Sequence, residues 1–128
     1  MPSSRATVAI VEDDAAMRKS LQRLLQAHGF TSCAFASAES FLESRDRALA
    51  DALVIDINLE GGMSGIELQG RLRSEGTVIP SVFITAYDDG AARQAAMTAG
   101  CLAYLCKPFE PEELIETLRR GILPAETA

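Results

Sequence analysis

Residues 52–58 read Ala52-Leu53-Val54-Ile55-Asp56-Ile57-Asn58, an apolar run that ends around a carboxylate. Ala52 to Ile57 is too short for a helix and shows no alternation of polar and apolar residues. It reads as a strand covered on both faces, the kind found in parallel sheets. A carboxylate in such a run is costly to bury unpaired. Asp56 therefore calls for a partner, and the runs around it show where partners come from. Thr7 to Glu12, Phe30 to Phe35, Ile79 to Thr85 and Leu102 to Cys106 are four more apolar runs of similar length.

Amphipathic stretches separate these strands. Met17, Leu21, Leu24, Leu25 and His28 recur at helical spacing, with Asp14 suited to cap the start and Gly29 the end. Ser37 caps a second helix that turns Phe41 and Leu42 inward. Ile66, Leu68 and Leu72 mark a third, after a loop from Asn58 to Ser64 that carries Gly61 and Gly62. Asp88 to Ala99 is an alanine-rich fourth helix closed by Gly100. Leu114, Ile115, Leu118 and Ile122 line a fifth that opens near Glu110 and Pro111.

Five strands, each followed by a helix, predict an α/β fold: a doubly wound five-stranded parallel sheet with helices on both faces. Right-handed crossovers leave few topologies, and the flavodoxin-like order 2-1-3-4-5 is the common one. The 128 residues fit one domain over residues 1–128, with an ordered core over about 6–122 and loose ends at the first residues and Pro124–Ala128. Hydrophobic residues make up 48%, enough for a core without staples.

The net charge of −6 argues against direct nucleic acid contact and against anionic membranes. No stretch approaches the ~20 apolar residues of a membrane span, and no signal peptide is read, so a soluble cytoplasmic protein is expected. Cys33, Cys101 and Cys106 are an odd count and read as reduced, buried small hydrophobes. The separation of Cys101 from Cys106 would put them on opposite strand faces.

Ligands in such sheets bind beyond the carboxyl ends of the strands. That rim receives Glu12, Asp13 and Asp14 from strand 1, Asp56 from strand 3, Thr85 from strand 4 and Lys107 from strand 5. Singly, each has a plain explanation. Acids favour helix N-termini, Thr favours strands, and Lys favours surfaces. Together they pose one problem, because clustered carboxylates repel and call for a cation. Oxygen ligands select a hard ion such as Mg²⁺. Asp56 can then act as a nucleophile toward a phosphoryl group, with Lys107 and Thr85 on the phosphoryl oxygens.

Val11-Glu12-Asp13-Asp14, the strand-end Asp56, Met63-Ser64-Gly65, Ile84-Thr85-Ala86 and Lys107-Pro108-Phe109 resemble the receiver domains of two-component response regulators. The likeness covers nearly the whole chain. Arg18-Lys19-Ser20-Leu21 and Ser37-Ala38-Glu39-Ser40-Phe41-Leu42 resemble the FixJ-type subtype. The resemblance implies that Asp56 accepts a phosphoryl group from a sensor histidine kinase or phosphotransfer protein. It implies that Glu12, Asp13, Asp56 and the Asn58 backbone carbonyl surround Mg²⁺, with Asp13 the direct ligand of the acidic pair. Thr85 and Lys107 would contact the phosphoryl group, and Lys107-Pro108 would be cis. Tyr104 matches the aromatic switch residue. Thr85 would move toward the phosphoryl group and Tyr104 would turn inward. The fourth helix, fifth strand and fifth helix would then present an output face to another domain or protein. No enzyme activity is implied beyond the domain's own phosphoryl transfer and dephosphorylation.

Two departures from the family pattern are visible. Glu12 stands where Asp is commoner, and its extra methylene would carry it toward a metal-bound water. Glu60 stands where many relatives have proline, in a loop one residue longer. Gly61 and Gly62 give that loop many backbone states, which predicts mobility. Other readings fare worse. An aspartate phosphohydrolase would need an acid at position 58, where Asn58 cannot serve, and a cap domain. A flavin carrier would need a Ser/Thr/Gly-rich loop where the acids stand. A pure scaffold requires that the protein never take up phosphate.

Overall fold

The computed structural model describes residues 6–87 and 89–122. Five parallel strands pair in the order β2-β1-β3-β4-β5: β1 Thr7–Val11, β2 Thr31–Phe35, β3 Ala52–Asp56, β4 Ser81–Thr85 and β5 Ala103–Cys106. The helices are α1 Ala15–Ala27, α2 Ala38–Glu43, α3 Gly65–Ser74, α4 Gly90–Thr98 and α5 Pro111–Ile122. Fold class and strand order agree with the sequence reading. One further element is a short 3-10 helix, Arg45–Leu49, in which the Asp46 N–H donates to the Ser44 hydroxyl. A single turn of this kind leaves no period to read.

Element ends shift by one or two residues. β4 starts at Ser81 because Pro80 has no N–H for the ladder, although its carbonyl accepts from Leu53. α4 starts at Gly90 on an Asp89 cap, whose carboxylate accepts from the Ala91 N–H. The expected start at Asp88 lies outside the described residues, as do the first five residues and Pro124–Ala128. Asp14 caps α1 as expected, accepting from the Ala16 N–H at 3.0 Å.

Side-chain alternation sorts the strands onto two cores. Val8, Ile10, Val54, Val82, Ile84 and Leu105 pack with Leu21 and Leu25 of α1 and with Leu114, Ile115 and Leu118 of α5. Ala9, Val11, Leu53, Ile55, Phe83 and Tyr104 pack with Phe41, Leu68, Leu72 and Ala96 of α2, α3 and α4. The inner strands β3 and β4 are buried along their whole length, which is why their sequences are unbroken apolar runs. Edge strand β2 has no fully buried residue. No helix among the described residues is long and apolar enough to cross a membrane.

The cysteines correct two expectations. All three are free thiols and only half-buried. Cys101 precedes β5, so strand alternation does not govern it, and Cys101 and Cys106 pack against the same core.

Two features place the rim. β1 lies between β2 and β3, so the strand order reverses beside its carboxyl end and opens a crevice there. Gly65 starts α3 hard against β3. A Cβ there would sit 2.7 Å from the Asp56 carbonyl oxygen, 2.8 Å from Ile55 Cγ2 and 3.1 Å from Ile57 Cα. Two of those atoms are backbone and cannot yield cheaply. Gly65→Ala is expected to cost about 1–3 kcal/mol in urea unfolding, the range for overpacking. Gly70→Ala, on the same helix with open space around it, should be neutral or stabilising. Equal effects of the two substitutions would contradict this packing argument.

Candidate functional site

Glu12, Asp56 and Lys107 continue the alternation of Ile10, Val54 and Leu105, so all three emerge on the α1/α5 side of the rim. Glu12 is 1% exposed and Asp56 5%, whereas Asp13 is exposed. One carboxylate oxygen from each of Glu12, Asp13 and Asp56 lies within 4.8 Å of the others. The Lys107 ammonium bridges two of them, 3.0 Å from Glu12 Oε1 and 3.4 Å from Asp56 Oδ2. The Lys107-Pro108 bond is cis, as the family resemblance implies.

Backbone amides also donate to an oxygen of each carboxylate. Glu12 Oε2 accepts from the Asp14 N–H at 3.1 Å, and Asp56 Oδ1 from the Asn58 N–H at 2.8 Å. Asp13 Oδ2 accepts from the Glu60 N–H at 3.2 Å. The long loop is held at its other end too, where the Met63 N–H donates to Glu39 Oε2 at 2.8 Å. Glu39 lies over Gly62, with its carboxylate 2.7 Å from where a Cβ would be. Gly61, with φ of 76°, supplies the left-handed residue between the two tethers.

The charges do not balance, since three carboxylates face one ammonium. Burial pushes the Glu12 carboxyl up to about 7, helped by its hydrogen bond to Asp56 and opposed by Lys107 and the Asp14 N–H. Burial alone would lower the Lys107 ammonium. The Glu12 hydrogen bond and the charges of Asp56 and Glu12 outweigh it and hold Lys107 above its ordinary value.

Thr85 is 1% exposed and sits on the Phe83 side of the sheet. Its hydroxyl donates to Asn58 Oδ1 and accepts from the Tyr87 N–H at 3.1 Å. Tyr104 is 8% exposed and turned inward, and its hydroxyl is buried without a partner among the described residues. A half-buried ring with its hydroxyl in water, the plain expectation for a strand tyrosine, is not what forms, and the inward position expected to follow phosphorylation is already taken here without a phosphoryl group. The Arg93 guanidinium lies 4.6 Å from the ring centroid and covers it. Neither the Asn58 side chain nor Arg93 is singled out by sequence. The Thr85–Asn58 pair spans 27 positions and the Arg93–Tyr104 pair joins two elements, so no local pattern announces either.

Residues 8–119 match the response regulator receiver domain family. The chain belongs to this family. Nodulation protein W of Bradyrhizobium diazoefficiens is 37% identical over 91% of this chain and 51% of its own length. The transcriptional regulatory protein FixJ of Rhizobium meliloti is 38% identical over 90% of this chain and 56% of its own. This receiver domain thus spans about half the length of the curated relatives it matches. Among solved structures, the response regulator StyR is 41% identical with a TM-score of 0.85, over 97% of this chain and 63% of that one. The FixJ-N crystal structure is 36% identical with a TM-score of 0.83, over 93% and 94%. These agree with the FixJ-like segments at Arg18–Leu21 and Ser37–Leu42.

The raised Glu12 carboxyl has a consequence for this receiver domain. A group that holds its proton more tightly folded than unfolded stabilises the fold at low pH. That contribution is lost as pH rises from the unfolded value, 4.5, through about 7. In metal-free buffer the difference in stability between wild type and Glu12→Gln is expected to move against wild type across this window. A difference that stays flat from pH 4.5 to 8 would contradict the burial argument.

Proposed function

We propose that Asp56 is the phosphoacceptor of this receiver domain. The observation that carries the reading is the convergence of Glu12, Asp13 and Asp56 around one point with Lys107 beside them. One Asp56 carboxylate oxygen attacks phosphorus on the donor. The new O–P bond forms as the donor's P–N bond breaks, and the departing histidine nitrogen of the kinase or phosphotransfer protein keeps the electron pair. Lys107 pairs with an oxygen of the transferred group, and the Thr85 hydroxyl donates to another.

The donor set fits Mg²⁺. It is all oxygen, it is crowded, and it carries more negative charge than Lys107 offsets. Asp13, Asp56 and the Asn58 backbone carbonyl would hold the ion. Glu12 has both oxygens engaged, by Lys107 and the Asp14 N–H, so its role is to orient Lys107 and to face the ion's water. When bound, Mg²⁺ neutralises charge on the transferred phosphoryl group.

The domain's chemistry ends with its own phosphorylation and dephosphorylation. Its output is conformational, from the cytoplasm, to an attached domain or partner. A phosphoryl group of charge near −2 draws the Thr85 hydroxyl, and Tyr104, on the same sheet face, responds. The surface of α4, β5 and α5 carries the signal, with the exposed Met97 and Leu102 as its apolar contacts.

Intact mass after incubation with Mg²⁺ and acetyl phosphate is expected to show one added phosphoryl group on wild type and none on Asp56→Asn. Asp13→Ala should weaken Mg²⁺ binding in a direct titration. Phosphorylation of Asp56→Asn at the native rate would refute the assignment.

A further inference from the structure

The Thr85 hydroxyl has one hydrogen to give. Three groups surround its oxygen: Asn58 Oδ1, the Tyr87 carbonyl at 3.0 Å and the Tyr87 N–H at 3.1 Å. The N–H fills an acceptor position, so the hydrogen is committed to Asn58 or to the Tyr87 carbonyl. Thr85 is buried, and bulk water is no alternative. The backbone on both sides is fixed. The Asn58 N–H donates to Asp56 Oδ1, and the Ile57 N–H to the Ile84 carbonyl at 3.0 Å. Asn58 and Thr85 therefore face each other across the ends of β3 and β4 at a set separation.

We propose that Asn58 is a positioning residue whose side-chain amide latches the Thr85 hydroxyl, so that phosphoryl binding at Asp56 must first break this bond. The proposal rests on the reading of Asp56 as phosphoacceptor. A hydroxyl that donates to Asn58 cannot donate to a phosphoryl oxygen. The binding-competent fraction is the fraction with the latch open, and apparent affinity scales with it. The two sides of the latch differ in their alternatives. Asn58 is exposed, and its amide returns to water when released. Buried Thr85 has only protein or phosphoryl acceptors. The latch therefore opens at modest cost when an anionic acceptor arrives; without one the hydrogen stays on Asn58 or the Tyr87 carbonyl. The Tyr87 carbonyl, a second acceptor, limits what removing the amide can gain.

The test is a double-mutant cycle on the full chain with Mg²⁺ and beryllofluoride as the phosphoryl mimic. Asn58→Ala keeps the backbone N–H and carbonyl and removes only the amide. It is expected to bind beryllofluoride roughly two- to tenfold more tightly than wild type, the range for one net hydrogen bond. In a Thr85→Ala background the same change should have no effect. Without mimic, NMR couplings should show one Thr85 χ1 rotamer in wild type and averaging in Asn58→Ala. Unchanged or weaker binding of Asn58→Ala overturns the latch. Equal tightening in the Thr85→Ala background also overturns it, because Asn58 would then act through the ion or Asp56. Failure of wild type to bind the mimic overturns the phosphoacceptor reading instead. The χ1 couplings need no ligand and judge the latch separately.

Discussion

Lys107 holds its ammonium between Glu12 and Asp56, and the rim depends on that contact. The sheet brings three carboxylates to its switch point, two on the strand-1 side and one at the end of β3. Without a cation two of them would be buried beside each other, the arrangement in which one carboxyl is forced to hold a proton. Lys107 relieves part of this and leaves a net negative crevice, with the Glu12 carboxyl held above its usual range. A fully neutral rim would have no use for a metal ion. A rim without Lys107 would tax the fold at neutral pH. The observed balance is stable enough to fold and still short of positive charge.

The rest of the molecule fixes where these groups stand. β1, β3 and β4 are covered by helices on both faces, so their ends move little relative to each other. The absence of a side chain at Gly65 lets α3 abut the last residues of β3, and the Ser64–Glu67 capping box satisfies the helix start in the same turn. The polar contacts that shape the rim lie at the carboxyl ends; at the other end the buried Ser81 hydroxyl pairs with Gln69 and the Thr7 N–H with Asp51. Asp13 reaches the Glu60 amide, Glu39 reaches the Met63 amide, and Thr85 reaches Asn58. The long β3–α3 loop is tethered at two carboxylates, with the glycine pair between them.

Much of this was legible in the chain because strand burial leaves a coarse mark. Short unbroken runs such as Leu53-Val54-Ile55, repeated between amphipathic stretches, read as buried strands of a parallel sheet, and acids or Lys at their ends name the rim. Glu12, Asp56 and Lys107 could be placed together because Asp56 ends its strand and Glu12 and Lys107 directly follow theirs. What was not legible depends on distant pairs. The Asn58 amide and Thr85 hydroxyl meet only after β3 and β4 align, and Arg93 reaches Tyr104 only after α4 docks. The Cys101 reading failed for a related reason, since strand alternation does not extend to Cys101, two residues before β5 begins. The 3-10 turn at Arg45–Leu49 escaped because one turn has no period.

The polar contacts at the rim share a property that bears on switching. Each joins a strand-end group to one that water or another acceptor can replace at low cost. Lys107 sits farther from Asp56 than from Glu12, so on the proposed reading a phosphoryl oxygen would replace the Asp56 oxygen as its partner while Glu12 keeps it aimed. The partner of Asp13 is the amide of exposed Glu60, and that of Thr85 is exposed Asn58. Tyr104 is the exception. Its hydroxyl is buried with no partner among the described residues, a state that costs roughly 1–3 kcal/mol and is offset by core packing and the Arg93 guanidinium. Thr85 shares its sheet face, two residues beyond Phe83, the register partner of Tyr104. The inexpensive exchanges at the rim and the costly burial of Tyr104 thus meet along β4. If Asp56 is the phosphoacceptor as proposed, that is where the arriving charge would change the α4–β5 surface.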